Sequence, residues 1–278
     1  MKRKMRLPAG WYAREKAAAL RQFEEWERSF PASARTGRAA VAPHAGWFFS
    51  GETAWRALRR LAPTPLVAVL GGHLAPGDPI LAPSEDFFET PLGELRRDED
   101  LFRFIQDRFS PAPDHEVDNT VEIQLPIVHR LFPGCRLICL RVPPSSLAAE
   151  LGAALAGYAG AGSDLTVIAS TDLTHYGPNY GFMPRGSGAA AVEWVRNHND
   201  RRFIDAALAL DPAEIVRLGL ETRAACSPGA AAAAAAWAAA LGLSGELEAY
   251  ATSLDKHSSP SFVGYAGLVY SKKPVDRG

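Results

Sequence analysis

The sequence predicts an α/β fold, a single-domain sandwich in which a central, largely parallel or mixed β-sheet is flanked by helices. Three observations lead to this prediction. Short apolar runs rich in β-forming residues alternate along the chain with helical patterns. The first four runs have the continuous apolar character of strands that are buried on both faces. The 278 residues contain no linker, charge block or repeat, so we expect residues 1–278 to form one domain.

The predicted strands and helices alternate in the order typical of this class. The strands are RAAVA (38–42), LVAVL (66–70), RLICLRV (136–142), LTVIA (165–169) and FVGYAGLVY (262–270). The helical patterns cover about 12–29, 51–62, 98–109, 120–132, 146–159, 189–209, 212–220 and 228–242. Asp98, Asp211 and Ser227 are placed to cap the start of their helices, and the alanine run 230–236 predicts a closely packed helix.

The composition indicates a globular protein with a large core and almost no net charge. Hydrophobic residues make up 47% of the chain, and 30 basic residues balance 31 acidic ones, so we expect no nucleic-acid partner and no membrane. The basic N-terminus has no apolar signal-peptide segment, and no window reaches about 18 uninterrupted apolar residues. Three cysteines are too few for a disulfide framework, which fits a cytoplasmic location.

Three of the predicted strands are followed by a histidine where they end. His44 follows the first run, His73 the second, and Asp172 and His175 the fourth. One such histidine alone is more typical of a packed ring or a helix cap. Because binding sites of α/β sheets lie at the carboxyl ends of the strands, the three exits together predict one shared site. Three further histidines lie in helical or polar loop contexts and are assigned to the surface or to packing: His129, His198 and His257.

Cys226 adds a thiol to this set. It lies just before the predicted helix 228–242, where the helix dipole and free N–H groups favour the thiolate. A small buried hydrophobic residue is the alternative for Cys226, and it is the preferred interpretation for Cys135 and Cys139, which we place within a strand run. Two imidazoles and a thiolate from separate loops form a three-ligand metal set with open coordination positions.

Seven segments of the chain carry a family resemblance. They are AGWYARE, VAPHAGWFFSG, VLGGH, NTVEIQLPIV, STDLTHYG, AACSPG and EAYATSLD with the following SFVGYAGLVY. In order and character they resemble the Memo family, whose bacterial members are often called AmmeMemoRadiSam system protein B. That family is similar in fold to the class III extradiol dioxygenases, non-haem iron enzymes that cleave catechol rings. The resemblance covers nearly the whole chain and implies a single α/β sandwich.

The resemblance also implies roles for individual residues. The family's metal-binding histidines fall on His44 and His73, its cysteine on Cys226, and its Asp-His pair on Asp172 and His175. A thiolate makes this ligand set softer than the two-histidine, one-carboxylate set of iron dioxygenases, so we expect iron or copper, with zinc as a further candidate. Asp172, three residues before His175, is expected to orient that ring on a helical turn, and His175 to act as general acid/base.

Two positions depart from the family pattern. Asn119 stands where the family usually has the histidine of Glu-His-Ser-Ile-Glu, which removes a candidate acid/base, and GGH (71–73) replaces the more usual GP-x-H. His115 is a candidate substitute for the missing imidazole, with a solvated loop histidine as the alternative. For Glu122, helix capping is preferred to catalysis.

Three functions remain open at this point. The first is a metal-dependent redox enzyme, an oxidase or dioxygenase-like protein that acts on a small phenolic or other oxygen-bearing molecule. The second is a non-enzymatic metal-binding or peptide-binding protein that uses the same cleft, and the third is a zinc-dependent hydrolase. The family naming also implies a functional link to a radical SAM protein and an AMMECR-type protein.

Overall fold

A mixed β-sheet runs through the centre of the protein in the computed structural model, which describes residues 1–30, 33–160, 162 and 164–272. Within these residues the strands are β1 (Lys2–Arg3), β2 (Gly37–Ala42), β3 (Leu66–Gly71), β4 (Leu81–Ala82), β5 (Phe87–Thr90), β6 (Gly93–Arg97), β7 (Ala112–Pro113), β8 (Arg136–Arg141), β9 (Leu165–Ser170), β10 (His175–Tyr176), β11 (Ser244–Thr252) and β12 (Phe262–Ser271). The α-helices of the same residues are α1 (Lys16–Ser29), α2 (Glu52–Leu58), α3 (Glu99–Phe109), α4 (Asn119–Glu122), α5 (Leu125–Leu131), α6 (Ser146–Gly160), α7 (Ala189–Trp194), α8 (Asp200–Leu208), α9 (Pro212–Thr222) and α10 (Pro228–Ala240).

The four strands at the centre of the sheet are parallel and largely buried. Their order is β8, β3, β9 and β2, and each is paired with its neighbour along most of its length. Next to β2, β12 runs antiparallel, so the sheet is mixed. Because the four central strands point in the same direction, their carboxyl ends open on one edge of the sheet. The predicted α/β class and all five predicted strands are confirmed.

The hairpin of β11 and β12 extends the sheet beyond the predicted strands. Whereas β12 matches the predicted run 262–270, β11 lies in a segment for which no element was predicted. Its sequence, SGELEAYAT, contains two glutamates, and most of its side chains are only half-buried. An edge strand of this kind lacks the continuous apolar run that marks interior strands.

The two faces of the sheet are covered by chemically different layers. On one face, α6, α8, α9 and α10 form a layer rich in alanine. Helix α6 approaches α10 so closely that a Cβ on Gly152 would lie 2.2 Å from the carbonyl oxygen of Ala233. The close packing predicted for the alanine run 230–236 is therefore confirmed. On the other face, α1 and α2 pack through an aromatic cluster, which consists of Phe23, Trp26, Trp47 and Trp55.

The helix boundaries agree with the prediction at two caps and differ at two other places. Asp98 and Asp211 each accept a hydrogen bond from a backbone N–H in the first turn of their helix, at 2.8 and 3.0 Å. Ser227 precedes α10 but makes no capping hydrogen bond, because its side chain packs against the loop that follows β3. The helix predicted over 120–132 is two short helices, with Pro126 in the first turn of the second. Within the described residues, no helix combines the length and apolar character needed to cross a bilayer.

Candidate metal centre

Three side chains of types that bind metal ions meet at the carboxyl edge of the central strands. His44 follows β2, His73 follows β3, and Cys226 precedes α10. One ligand atom from each residue lies within 4.8 Å of the other two. The Sγ atom of Cys226 is 3.1 Å from Nε2 of His44, and the two imidazole rings are nearly perpendicular, with centroids 4.9 Å apart. The three residues expected to be ligands thus form one cluster, although 182 positions separate the first from the last.

His44 is almost completely buried and is held through its backbone and its ring. Its backbone N–H donates to Oδ1 of Asp172 at 2.7 Å, and its carbonyl accepts from the side-chain amide of Asn119 at 2.9 Å. Its ring Nδ1 lies 3.3 Å from Oγ of Ser170, the last residue of β9. Because Nδ1 is engaged there, Nε2 is the nitrogen that faces Cys226.

The surroundings of Cys226 favour its thiolate. Burial alone would raise the pKa of this thiol, but the charge of His44 and hydrogen bonds from His44 and His73 lower that pKa well below its ordinary value. Burial alone would likewise lower the pKa of His44, but the Cys226 thiolate and the Asp172 carboxylate raise it. The two shifts have the same origin, because the charged form of each residue stabilises the charged form of the other.

The other two thiols have the opposite character. Cys135 and Cys139 are buried in the core on the aromatic side of the sheet. Burial raises the pKa of Cys135 to about 12 and raises the pKa of Cys139 as well. Both therefore behave as the small buried hydrophobic residues that the sequence predicted.

Asp172 and His175 both line the same cleft, but they contact different partners. The Asp172 carboxylate is buried beside His44, with Oδ2 3.9 Å from the ring Nε2. The ring Nδ1 of His175 instead lies 3.1 Å from the carbonyl oxygen of Leu173. This differs from the expectation that Asp172 orients His175. After β9 ends at Ser170, the chain continues to β10 without a helical turn, so residues three apart do not share a face.

The cluster opens into a cleft of about 740 Å³. Its aromatic lining residues are Trp11, Phe48, Phe49, Tyr180 and Tyr265. Its neutral polar lining residues are Asn119, Asn179, Ser253, Ser259 and Ser261. None of the described residues that line it is a lysine or an arginine. A separate pocket of about 300 Å³ is lined by His175, Cys226 and Arg223, among others, so the site is reached from two sides.

Some parts of the cleft were not predicted from the sequence. His257, assigned to the surface or to packing, lines the cleft, and so do residues 9–11 of the N-terminal segment. Glu122 holds that segment, since it accepts hydrogen bonds from two of its backbone N–H groups at 3.0 Å and from the Tyr12 hydroxyl at 2.8 Å. It is therefore an anchor and not the expected helix cap. The sequence signal for these regions was their position in, or just after, the family-like segments AGWYARE and EAYATSLD.

The position of the usual family histidine is filled by the amide of Asn119, which lines the cleft and donates to the His44 carbonyl. His115 does not replace the missing imidazole. It is exposed, lies outside the lining of the cleft, and its carbonyl accepts from the Arg6 guanidinium. The interpretation of His115 as a solvated loop histidine is therefore confirmed.

The donor set of the cluster fits a transition-metal ion. Metal–nitrogen bonds of about 2.0–2.1 Å and metal–sulfur bonds of about 2.3 Å place tetrahedral ligand atoms roughly 3.3–3.6 Å apart. The 3.1 Å between Sγ of Cys226 and Nε2 of His44 is close to these separations, and all three ligand atoms lie within 4.8 Å of one another. Metal binding requires deprotonated ligands, and the lowered pKa of Cys226 provides one. His44, His73 and Cys226 could thus hold a metal ion.

Comparisons with known proteins identify the family of the chain. A family model described as Memo-like protein matches residues 3–269. A MEMO1 family protein of Thermococcus onnurineus is 31% identical over 261 residues, which cover 86% of this chain and 89% of the relative. A MEMO1 family protein of Archaeoglobus fulgidus is 30% identical over 273 residues, which cover 95% and 98%. In fold, the chain is similar to an uncharacterized protein from Escherichia coli K12, with a TM-score of 0.55, 12% identity, and coverage of 84% of this chain and 100% of that one. On the family match and these relatives, the chain belongs to the Memo family.

Proposed function

We propose that this protein binds iron or copper, with zinc as the alternative metal, and acts as a redox enzyme of the oxidase or dioxygenase type. The observation that carries the proposal is the cluster of His44, His73 and Cys226 beside an open cleft. A metal held by these residues would supply open coordination positions and, for iron or copper, a one-electron couple. A small oxygen-bearing molecule in the cleft would be the substrate.

The thiolate of Cys226 supports the choice of metal. Sulfur is a soft ligand, so a set of two imidazoles and a thiolate favours reduced iron, copper and zinc over hard ions such as magnesium. Asp172 holds the two halves of the set together, because its carboxylate accepts from the His44 N–H and its carbonyl accepts from the Cys226 N–H at 3.2 Å. His44 and Cys226 are therefore held in position before a metal binds.

His175 is suited to move a proton at the edge of the site. A carbonyl oxygen only accepts hydrogen bonds, so the contact with Leu173 requires the proton of the neutral ring on Nδ1. Nε2 then carries the lone pair and is free to accept a proton from a substrate hydroxyl. The ring packs edge-on against Tyr180, with centroids 4.9 Å apart, which limits its rotation. These features support a role as general acid/base.

The cleft lining supports a neutral, ring-bearing substrate. Its aromatic side chains provide flat apolar walls, and its asparagine and serine side chains provide uncharged hydrogen-bonding groups. Because none of the described lining residues is a lysine or an arginine, the cleft offers no permanently charged side chain to pair with a carboxylate or a phosphate. A phenol or catechol without an acidic substituent matches this chemistry.

The proposal is tested by metal analysis and oxygen uptake. Protein purified without oxygen is expected to contain near-stoichiometric iron or copper and to consume oxygen with neutral phenols or catechols. His44→Ala is expected to abolish both properties. His129→Ala, whose imidazole contacts Thr90 outside the cleft, is the matched control and is expected to keep both. Zinc as the bound metal, with hydrolysis but no oxygen uptake, would replace the redox assignment.

One observation favours a second function, a non-enzymatic binding protein. The amide of Asn119 takes the place of an imidazole and is used to hold the His44 carbonyl, so the site has one acid/base fewer than the family pattern. The same cleft could then bind metal or a peptide without turnover. Stable metal binding without oxygen uptake or hydrolysis for any substrate tested would support this function over the redox enzyme.

A further inference from the structure

The loop that carries His73 has an unusual conformation. The φ angle of His73 is +58°, in the left-handed region that residues with a Cβ seldom adopt. Its side chain is 36% exposed, unlike that of His44, which is 1% exposed. Neither backbone preference nor burial therefore fixes this imidazole. Other groups must hold both the backbone and the ring.

The backbone of the loop is held from two sides. The hydroxyl of Thr120 accepts from the N–H of Gly72 at 3.1 Å. From β8, the nearly buried guanidinium of Arg141 donates through Nε to the carbonyl of Gly72 at 2.9 Å and through Nη2 to the carbonyl of His73 at 3.4 Å. These hydrogen bonds offset the strain of the left-handed residue.

The ring is held by one carboxylate. Oδ2 of Asp118 lies 3.0 Å from Nδ1 of His73 and 3.6 Å from Nη2 of Arg141. The other oxygen, Oδ1, accepts from the backbone N–H of Thr120 at 2.8 Å and also from the Thr120 hydroxyl. Because a carboxylate only accepts, Nδ1 must carry a proton. His73 also forms a hydrogen bond with Cys226, so its second ring nitrogen lies on the side of the proposed metal position.

We infer that Asp118 is the positioning residue for His73, a role that rests on the metal site proposed above. By accepting the hydrogen bond from Nδ1–H, Asp118 determines which ring nitrogen faces Cys226. Arg141 and Thr120 keep its carboxylate in place. Histidine ligands in metal sites are commonly oriented by such a carboxylate. Arg141 also pairs with Glu116 at 2.7 Å, but Glu116 does not contact His73. Among the hydrogen bonds and ion pairs of the described residues, the contact of Asp118 is the one that joins this charge network to the His73 ring.

Asp118→Asn separates the positioning role from a structural one. Asparagine caps helices as well as aspartate does, so the start of α4 is preserved. Both donors of Thr120 face Oδ1, so the amide oxygen of the asparagine must take that place. The NH₂ group then faces Nδ1 of His73 and can only donate, which moves the ring proton to the metal-facing nitrogen. A purely structural Asp118 would tolerate this change.

The experiment is a Co²⁺ titration followed by thiolate-to-metal absorption. Asp118→Asn is expected to bind Co²⁺ about 10- to 100-fold more weakly than the wild type, the usual loss when the partner of a histidine ligand is removed. Glu116→Gln removes a carboxylate from Arg141 without touching His73 and is expected to change affinity less than about fivefold, as for an exposed ion pair. Equal affinity of Asp118→Asn and wild type would overturn the inference.

A second measurement does not depend on metal. In the metal-free wild type, NMR is expected to show a slowly exchanging, downfield proton on Nδ1 of His73, and this signal is expected to be lost in Asp118→Asn. If the wild type binds no Co²⁺ but shows the signal, the metal proposal fails and the positioning role stands. If the signal is absent from the wild type, the positioning role is wrong. If Asp118→Asn does not fold, the presence or absence of the Nδ1 proton signal in the wild type decides whether Asp118 positions His73.

Discussion

The two sides of the candidate site are built in different ways. The ligand wall, defined as His44, His73 and Cys226, stands at the ends of interior strands and at the start of a buried helix. The outer wall, defined as His175, Tyr180 and His257, stands on short strands, turns and loops near the antiparallel end of the sheet. Backbone or ring contacts with neighbouring side chains hold the ligand-wall residues, whereas two of the three outer-wall residues are exposed.

This difference predicts different roles for the two sides of the site in the proposed function. A site whose side chains are fixed by hydrogen bonds to neighbouring groups keeps its geometry before a ligand arrives, which suits metal binding. Loop-borne, exposed side chains can vary with little cost to the core, which suits substrate choice. We therefore expect changes in the ligand wall to affect metal affinity and folding, and changes in the outer wall to leave both properties unaltered.

The largest effect is expected from His175→Ala. Loss of a general acid/base lowers turnover by roughly two to four orders of magnitude, while Co²⁺ affinity should stay that of the wild type because the ligand wall is intact. His257→Ala, on the same wall, is the control and should retain most of the turnover. Oxygen uptake and Co²⁺ titration on the same samples measure the two properties. A parallel loss of metal would make His175 a ligand and remove the division between the walls.

Cys226→Ser is expected to weaken binding of Cu⁺ and Fe²⁺ by more than about 100-fold, the upper end of the loss seen when only the partner of a ligand is removed. A serine hydroxyl is harder and poorly ionised, so the softer metals should lose most. In the metal-free wild type, iodoacetamide should modify Cys226 faster than Cys135 or Cys139, and bound metal should protect it. An unreactive Cys226 together with unchanged metal binding by the serine variant would exclude the thiolate as a ligand.

Gly72→Ala tests how tightly the ligand wall is packed. A Cβ at this position would lie 2.4 Å from the Cβ of Ser227, so the loop after β3 and the start of α10 would have to separate. Overpacking of this kind costs about 1–3 kcal/mol of unfolding free energy. Phe48→Ser, at a residue 64% exposed beside the cleft, should change stability by at most about 0.5 kcal/mol. Urea unfolding of both variants gives their free energies of unfolding. Similar losses for the two variants would contradict the tight packing of the ligand wall.

The smallest effect is expected from Asp200, which supports the chain that leads into the outer wall. Its buried carboxyl accepts from the Thr174 N–H at 3.1 Å and the Tyr250 hydroxyl at 2.8 Å, yet burial raises its pKa from 3.8 to about 7. Because the folded-state pKa is the higher one, this group favours folding fully below about pH 4, and the contribution is lost as the pH rises through about 7.

Between pH 6 and pH 8 the wild type should therefore lose about 1 kcal/mol of unfolding free energy through Asp200. Asp200→Asn cannot ionise, so this part of the pH dependence should vanish in the variant. Urea unfolding of both proteins at the two pH values gives the difference. Identical pH dependence of wild type and variant would show that Asp200 keeps an ordinary pKa in the folded protein.

The ligand wall was largely predictable from the sequence because its position follows from strand periodicity. Four buried runs predicted parallel strands, and the rule that sites lie at carboxyl ends brought His44 and His73 together. The same physical logic placed Cys226 before a helix, where a thiolate is favoured. These inferences depend on backbone topology, which the pattern of apolar residues determines well.

The outer wall and the hydrogen bonds around both walls could not be predicted in the same way. His257 comes after β11, an edge strand without a buried apolar run, so its location stayed unknown. The partner of Asp172 depended on the path of the chain after Ser170, where spacing alone suggested a helical turn that does not form. Side-chain partners separated by many residues, such as Asp118 and His73, follow from packing and leave no local pattern.

The wide spacing of His44, His73 and Cys226 along the chain also determines when the site can form during synthesis. Since 182 positions lie between His44 and Cys226, and ribosomes add about 5–20 residues each second, the thiolate is made roughly 10–40 s after the first imidazole. During most of that interval the growing chain has both histidines but lacks Cys226. The complete site can therefore form only once α10 has been synthesised and docked on the sheet. A metal ion held by all three residues could therefore not assist the folding steps that precede the docking of α10.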